Sequence, residues 1–340
     1  MKSITERGKI MTTIYDVAKE AKVSVATVSR VLNNNGYVSE EKRMSVKMAI
    51  EKLNYRPNLL GRNLRKSESR IILALLPSIS NPFYSKILKG IEDVAIKNEY
   101  NILLCSTDSD RERERIYLNL INQKLADGII SMNPIQDKDF FLELSKNYPI
   151  IQCSEYNSNI KIPYVSIDNF RAAYDATHYL ISLGCKKIAL INSNEKYLYA
   201  RLRKEGYLQA LRDNNITIKD DLIICAGIGF QNGYDAVKRI LSKEKVDGIF
   251  AVADILALGA IKGVKELGYS IPSDISIIGF DDIEISTMVT PTLTTIAQPM
   301  YELGQQAAKL IIKRIKDPNF IPENILLKHQ LVIRESTKKI

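Results

Sequence analysis

The residues whose types and spacing are best suited to chemistry lie in the segment 12–33, TTIYDVAKEAKVSVATVSRVLN. Ala26 and Arg30 are four residues apart, so a helix would place them on one face, with Val25 beside them. An arginine can donate two hydrogen bonds to a guanine, whereas Val25 and Ala26 offer only apolar contacts. Phosphate oxygens on either side would meet the hydroxyl groups of Ser24, Thr27 and Ser29. Such a face suits the major groove of DNA.

Two helices must hold that face in place, and the sequence marks where each begins. Thr13, with Asp16 three residues later, predicts a capped first helix that runs to about Ala21. After the short turn 22–24, a second helix begins with Ser24 as its cap. The apolar residues expected to pack the two helices together are Val17, Ala18, Ala21, Val23, Val28 and Val31. The segment is therefore predicted to be a helix-turn-helix.

Positive charge is concentrated around this segment. Residues 1–70 contain 15 Lys and Arg against 7 Asp and Glu, a net of 15 − 7 = +8, whereas the whole chain carries +9. Because DNA is a polyanion, a basic segment that coincides with a helix-turn-helix predicts a DNA-binding headpiece. The alternative, a small helical pair that packs on another part of the protein, leaves this charge unexplained.

Length and composition narrow the class of protein. The 340 residues are too many for one small domain, and 45% apolar residues is ordinary for a protein with a real core. The longest apolar runs are too short to span a membrane, and the start MKSITERGKI resembles no signal peptide. Four scattered cysteines and two histidines fit a reducing compartment and leave little for metal binding. We expect a cytoplasmic protein without a metal or cofactor.

The sequence carries none of the common enzyme motifs. No glycine-rich dinucleotide motif follows the first predicted strand, and neither a phosphate-binding loop nor a nucleophile elbow occurs. His178 lies on a predicted helix with no Ser or Cys nucleophile motif to serve. We therefore predict that the protein is not an enzyme. A sugar-binding protein without a DNA role is the other competitor, which the basic headpiece disfavours.

The headpiece is predicted to contain a third helix, from after Ser39 to about Leu53. The stretch PNLLGRNLRK that follows the headpiece is predicted to be a hinge that is disordered alone and helical with a partner. A helix that short is marginal, and Gly61 costs it roughly 1 kcal/mol relative to Ala. A plain flexible linker is the alternative for this stretch.

From Arg70 onward, apolar runs alternate with amphipathic segments of helix length, which is typical of parallel sheets with crossover helices. The runs are RIILALLP, YNILLCSTD, DGIISM, YPIIQCSE, KKIALINS, LIICAGI, GIFAVAD and SIIGFDD. They suffice for two sheets, and IPYVSIDN is interpreted as a crossing between two lobes. The predicted fold is an all-α helix-turn-helix headpiece with a hinge helix, followed by an α/β core of two lobes, each with a parallel doubly wound sheet.

The predicted domains follow from these patterns. They are a disordered arm 1–11, a headpiece 12–56, a hinge and linker 57–69, a first lobe 70–166 and 298–326, and a second lobe 167–297 and 327–340. Met11 directly precedes the first helix, so translation starting there is the alternative to a disordered arm.

Seven motifs in order resemble those of the lactose/galactose repressor family of bacterial regulators. They are TIYDVAKEAKVSVATVSRVLN, NYRPN, SNPFYSKILKGIEDVA, GYLQAL, ADILALGAI, IIGFDD and TPTLTTIAQPMYELG. The resemblance covers about residues 12–337 and is greatest to catabolite control proteins of Gram-positive bacteria. It implies a homodimeric repressor of carbon-catabolism genes that reads a near-palindromic operator, with lobes of periplasmic-binding-protein type behind the headpieces.

The resemblance also implies roles for individual residues in DNA binding. Val25, Ala26 and Arg30 match the family's base-reading positions. Leu64 matches the leucine that hinge helices insert into the minor groove, and Gly61 departs from the usual hinge alanine. The positions that match contacts to the sugar-phosphate backbone are Thr13, Tyr15, Ser24, Thr27, Ser29, Asn33, Tyr55 and Asn58.

A small effector is expected where strand ends meet helix starts. The candidates there, of which Arg203 and Asp281 match the family's ligand contacts, are Phe83, Tyr84, Arg203, Phe230, Asp254 and Asp281. A sugar or sugar phosphate is the expected ligand class, because aromatic faces stack on sugars while Arg and Asp bind hydroxyls. Asp254 has an alternative role as the cap of a helix that begins at Ile255, and Phe83 and Tyr84 have one as core residues.

The helix 301–315 offers a second effector surface. In catabolite control proteins this helix binds a phosphocarrier protein phosphorylated on serine, and two lysines one turn apart can hold a phosphate. The residues of this expected partner surface are Tyr301, Gln306, Lys309, Leu310 and Lys313. The phosphocarrier is taken as corepressor, with a sugar in the cleft as the alternative effector. An ordinary solvated basic face is the alternative interpretation of the helix.

Overall fold

The computed structural model describes residues 12–32, 34–55, 68–133 and 137–338. The chain divides into two compact units, 1–67 and 68–340. The expected arm 1–11 lies outside the described residues, as does the expected hinge helix.

The described residues of the first unit contain three helices, which are α1 (Ile14–Glu20), α2 (Val25–Leu32) and α3 (Glu40–Lys52). Thr13 caps α1, because its hydroxyl accepts from Asp16 N while the Asp16 carboxylate accepts from Thr13 N at 2.9 Å. The Ser24 hydroxyl accepts from Thr27 N at 3.2 Å and so caps α2. The buried core of the unit consists of Val17, Ala18, Ala21, Val28, Val31, Val46 and Ala49. The predicted helix-turn-helix is confirmed.

The second unit alternates strands and helices. Its first part comprises β1 (Ile71–Leu76), α4 (Phe83–Lys97), β2 (Asn101–Ser106), α5 (Arg111–Asn122), β3 (Gly128–Ser131), α6 (Lys138–Asn147), β4 (Ile150–Cys153) and β5 (Tyr164–Ile167). Its middle part comprises α7 (Asn169–Ser182), β6 (Ile188–Asn192), α8 (Leu198–Asp213), β7 (Ile223–Cys225), α9 (Phe230–Lys243), β8 (Gly248–Ala251), α10 (Asp254–Glu266), β9 (Ser276–Asp281) and β10 (Thr294–Ala297). Its last part comprises α11 (Met300–Lys316), β11 (Ile325–Leu327) and β12 (Gln330–Val332).

These strands form two six-stranded sheets, each the centre of one lobe. The sheet of the first lobe has the order β11-β5-β4-β3-β1-β2 and is parallel throughout, while that of the second has the order β12-β10-β9-β8-β6-β7. In the second sheet β12 runs antiparallel to β10. The central strands are buried on both faces, as parallel sheets covered by helices require. The predicted two-lobed α/β fold is confirmed.

The sequence interpretation missed four strands. The run IPYVSIDN, interpreted only as a crossing, contains β5, which pairs with both β4 and β11. Strands β10, β11 and β12 had no predicted counterpart. Each is three or four residues long, too short for apolar alternation to stand out from its surroundings.

Helices α4 and α11 approach until their backbones touch. A Cβ atom added to Gly90 would lie 2.1 Å from the carbonyl oxygen of Tyr301, and one added to Gly304 would lie 2.0 Å from that of Ile87. Both helices cover one face of the first sheet, and their side chains share its apolar core. Glycine is needed at these positions because any larger residue would force the helices apart.

Candidate DNA-binding face and effector cleft

The outer face of α2 carries the predicted base-reading residues. Ala26 and Arg30 are exposed, whereas Val28 and Val31 on the opposite side are buried in the headpiece core. Val25 is half-buried and packs partly against that core. Of these three base-reading residues, Arg30 is thus the one whose exposed side chain can donate hydrogen bonds to a base.

Side chains with hydroxyl groups lie around the outer face of α2, and some of these hydroxyls take part in helix caps. The Ser24 and Thr27 hydroxyls are 2.9 Å apart, and the Thr13 hydroxyl donates to the Asp16 carboxylate at 2.8 Å. Tyr15 is 72% exposed, so its phenol is available to a phosphate. Tyr55 is half-buried against the headpiece core, and Ser29 is half-buried on α2.

Four of the predicted DNA contacts lie outside the described residues. They are Asn33, Asn58, Gly61 and Leu64. Their roles stay predictions from the resemblance.

A cavity of about 730 Å³ lies between the two sheets. Its walls are the loops and helix starts that follow β1, β2, β3 and β4 in the first lobe and β6, β7 and β8 in the second, together with Asp281 at the end of β9. All of these loops leave the carboxyl ends of parallel strands, where doubly wound folds bind ligands. The predicted residues that line the cavity are Phe83, Tyr84, Arg203, Phe230 and Asp281.

Arg203 is the buried cation of the cavity. Its Nε donates to Asn169 Oδ1 at 2.9 Å and its Nη1 donates to the carbonyl oxygen of Val252 at 2.5 Å. Its guanidinium carbon lies 3.5 Å from the ring centre of Phe280 and 4.9 Å from that of Tyr199. Burial lowers the pKa of Arg203 from its ordinary value, while neighbouring acidic groups oppose that change. The bonds and rings hold the guanidinium in one place.

Asp281 is the buried acid opposite Arg203, and their nearest side-chain atoms are 3.9 Å apart. Its carboxylate accepts from Gln298 Nε2 at 2.7 Å. Burial raises the pKa of Asp281 to about 7, although Arg203 and Gln298 act to lower it. The backbone φ of Asp281 is +120°, a strained value for a residue with a side chain. Such an acid can donate to or accept from a ligand hydroxyl near neutral pH.

Phe83 and Tyr84 serve both roles proposed for them. Phe83 is only 6% exposed and belongs to the core of the first lobe, yet it also borders the cavity. The two rings meet edge to face with centres 5.1 Å apart. Phe230, at the start of α9, is 39% exposed. The cavity therefore offers aromatic surface from both lobes.

The prediction that Asp254 lines the cleft is wrong. Asp254 is fully buried, and its carboxylate accepts from Thr295 Oγ1 at 2.6 Å and from Ile283 N at 2.9 Å. It does not cap a helix either, because α10 begins at Asp254 itself with Ala253 at the cap position. Ala253 is the neighbour that borders the cavity. Asp254 instead joins the start of α10 to β10 and to the segment that follows β9.

Several cavity residues were not predicted from the sequence, and three of them carry titratable groups that touch one another's surroundings. They are Glu155, which follows β4, and Tyr197 and Tyr199, which flank the start of α8. Burial raises the pKa of Glu155 to about 7, although two backbone amides and two arginines act to lower it. The rule that cleft residues follow strand ends also covers Glu155, so the signal was present.

The outer surface of α11 matches the predicted partner surface only in part. Lys309 and Lys313 are exposed one turn apart, and Lys313 Nζ lies 3.9 Å from the ring centre of Phe320. Tyr301 is 41% exposed, and its phenol donates to the Asp93 carboxylate at 2.9 Å. Gln306, also expected on this surface, is half-buried. Leu310 is also half-buried and packs on the core of the first lobe.

Two general features complete the description. Among the described residues, no helix is both long enough and apolar enough to cross a membrane. The same part of the chain contains no cluster of three or more His, Cys, Asp or Glu side chains arranged to hold a metal ion.

Comparison with known proteins decides the family. Residues 13–58 match the model of bacterial regulatory proteins of the lacI family, and residues 177–337 match that of the periplasmic binding protein-like domain. Catabolite control protein A of Priestia megaterium is 38% identical over 96% of this chain and 99% of its own length. The chain belongs to the lacI family of bacterial regulatory proteins. It is thus a DNA-binding transcriptional repressor and not an enzyme.

Two solved structures are similar in fold and sequence. The Lac repressor dimer bound to operator and the anti-inducer ONPF has a TM-score of 0.88 and 27% identity, covering 96% of this chain and 99% of that one. A lacI family regulator from Enterococcus faecium with bound ribose has a TM-score of 0.73 and 35% identity, covering 78% of this chain and 98% of that one. The first includes a headpiece on DNA and the second a sugar complex.

Proposed function

We propose that this repressor acts on genes of carbon catabolism, that it binds a near-palindromic operator as a homodimer, and that a small sugar in the cleft changes its operator affinity. The observation that carries the sugar proposal is the cavity between the lobes, where a fixed guanidinium, an acid and aromatic rings converge. A sugar presents hydroxyls for Arg203 and Asp281 and an apolar face for the rings. The ribose-bound relative supports this ligand class.

A neutral sugar suits the cavity better than a sugar phosphate. The carboxyl groups of Glu155 and Asp281 both border it, and each carries negative charge above about pH 7. A phosphate group placed there would meet like charges in a partly buried site, which is unfavourable. Arg203, the buried cation of the cavity, already has partners in Asn169 and Val252.

The phosphocarrier on α11 is the second candidate effector. Exposed Lys309 and Lys313 support it, as does the similarity to catabolite control protein A. The partial burial of Gln306 and Leu310 leaves a smaller surface for such a partner than the sequence implied. We therefore place the cleft first.

Calorimetric titration tests the choice. Purified protein is titrated with D-ribose and other neutral sugars, with sugar phosphates, and with a serine-phosphorylated phosphocarrier protein. We expect a neutral sugar to bind, with loss of the heat on Arg203→Ala and retention on Lys309→Glu, which changes only the outer helix. Heat from the phosphocarrier that is lost on Lys309→Glu, with none from any sugar, would refute the cleft proposal.

A further inference from the structure

One carboxylate of the first lobe is bonded to a helix of the second. Glu155 Oε1 accepts from Leu198 N at 2.7 Å, and Glu155 Oε2 accepts from Tyr199 N at 3.2 Å. Leu198 and Tyr199 are the first two residues of α8, whose amides have no partner within their own helix. The helix dipole also favours a negative group at this end. Glu155 thus takes the place of a helix cap, and it reaches across the cleft to do so.

We infer that Glu155 is a latch between the lobes and the positioning residue for the effector-binding face of α8. The latch holds the start of α8, and with it Tyr199, at the wall of the cavity beside Arg203. Its existence does not depend on the identity of the effector. Its influence on operator binding rests on the proposed function, in which the effector acts through the lobes.

The backbone conformation of Ser154 sets the direction of the Glu155 side chain. Ser154 has a φ of +69°, in the left-handed region that residues with side chains rarely adopt. Glu155 N donates to Cys153 O at 2.9 Å, which closes a tight three-residue turn. Ser154 is fixed on β5, since its amide donates to Val165 O at 2.8 Å and its carbonyl accepts from Ser166 Oγ at 2.7 Å. Strain held in place by such bonds is characteristic of functional positions.

A line of contacts leads from the latch to the buried cation. The rings of Tyr197 and Tyr199 stack with centres 5.5 Å apart, and the Tyr199 ring lies 4.9 Å from the Arg203 guanidinium carbon. A further hydrogen bond crosses the cleft beside them, from Tyr197 Oη to Ser109 Oγ at 3.2 Å. Release of Glu155 would therefore free the start of α8 and the ring of Tyr199, which lies beside Arg203 at the cavity wall.

The latch is expected to respond to pH. Several titratable or charged groups interact electrostatically with the Glu155 carboxyl group. They are Tyr84 of α4, Tyr156, Tyr197, Tyr199, Arg201 and Arg203, and Asp281 lies on the far side of Arg203. Burial between the lobes raises the pKa of Glu155 to about 7. Separation would return the carboxyl to water and to its lower ordinary value. The latched state therefore binds the proton more readily, and latching weakens as pH rises through about 7.

Amide hydrogen exchange tests the latch directly in the full chain, without DNA or sugar. The variants are Glu155→Ala and Glu155→Gln, and the matched control is Glu143→Ala, an exposed carboxylate of the same lobe. In Glu155→Ala we expect the amides of Leu198 and Tyr199 to exchange at least about tenfold faster, with no change in β1 or β6. Glu143→Ala should leave all of these rates unchanged. Unchanged rates at Leu198 and Tyr199, or equal acceleration throughout β6, would overturn the inference.

The Gln variant supplies a readout that a purely structural role would not move. An amide oxygen can still accept one hydrogen bond but does not titrate. After correction for the chemical pH dependence of exchange, wild-type protection at Leu198 and Tyr199 should fall between about pH 6 and 8, while that of Glu155→Gln stays level. Identical profiles would contradict the latch. Since no sugar or operator is used, failure of the proposed regulation would leave this result untouched.

Discussion

Arg30 lies on the exposed face of α2, one helical turn after the exposed Ala26. Arg30→Ala is expected to cost about 1–3 kcal/mol of operator affinity and to relax specificity at one base position. The measurement is a gel shift on a palindrome with a central CG step and on its single-base variants. Lys47→Ala, which removes an exposed charge on α3, serves as the control. Equal weakening on every sequence would show that Arg30 binds only phosphate.

Residue roles in the cleft were only partly predictable. The residues after strands β1 and β9 were found because an apolar run followed by aromatic or acidic residues is visible in the sequence. Whether Ala253 or Asp254 borders the cavity depends on the backbone path out of β8, which no local pattern encodes. Glu155 was missed because its direction is set by the unusual backbone of Ser154 and by hydrogen bonds to β5.

The pair α4 and α11 depends on backbone contact between helices. Gly304→Ala would place a Cβ atom 2.0 Å from Ile87 O, and the helices would have to separate. We expect a loss of about 1–3 kcal/mol in the free energy of unfolding of the core, as for other overpacked sites. Denaturant unfolding checks this, with Lys86→Ala, an exposed position on α4, as the control. A stability equal to that of the control variant would mean that the helices adapt without cost.

Elements differ in how far the sequence predicts them. The headpiece helices were predicted because their caps are local, as the reciprocal bonds of Thr13 and Asp16 illustrate. Long buried strands such as β1 were predicted from apolar content alone. Strands β11 and β12 were not, because they are edge strands whose existence depends on pairing with β5 and β10, residues far away in the chain.

At the scale of the whole molecule, buried acids make stability depend on pH. Burial raises the pKa of Asp281 and of Glu155 to about 7, and that of Asp254 well above its ordinary value. An acid whose pKa is higher in the folded state stabilises that state at low pH, and the stabilisation is lost as pH rises through the folded value. We expect the thermal midpoint of the core to fall between about pH 5 and 8.

The contribution of Asp281 to this pH dependence of stability can be measured by substitution. Asp281→Asn keeps the size of the side chain but removes its titration, so its thermal midpoint should fall less steeply over the same range. Glu284→Gln, at a nearby exposed position, should follow the wild-type curve. A slope in Asp281→Asn equal to that of the wild type would show that this carboxyl does not retain its proton on folding.

The order of the strands along the chain also determines when each lobe can fold during synthesis. The first lobe is begun by β1–β5, yet α11 and β11, which complete its core and its sheet edge, come after strands β6–β10 of the second lobe. A ribosome delivers the chain from the amino terminus, and domains fold as their parts emerge. Until α11 appears, the apolar side chains that it will cover, among them Ile130, Ile151 and Val165, have no partner from that helix. Translation therefore leaves part of one face of the first sheet without the cover of α11 for the time needed to synthesise α7–α10 and β6–β10 of the second lobe.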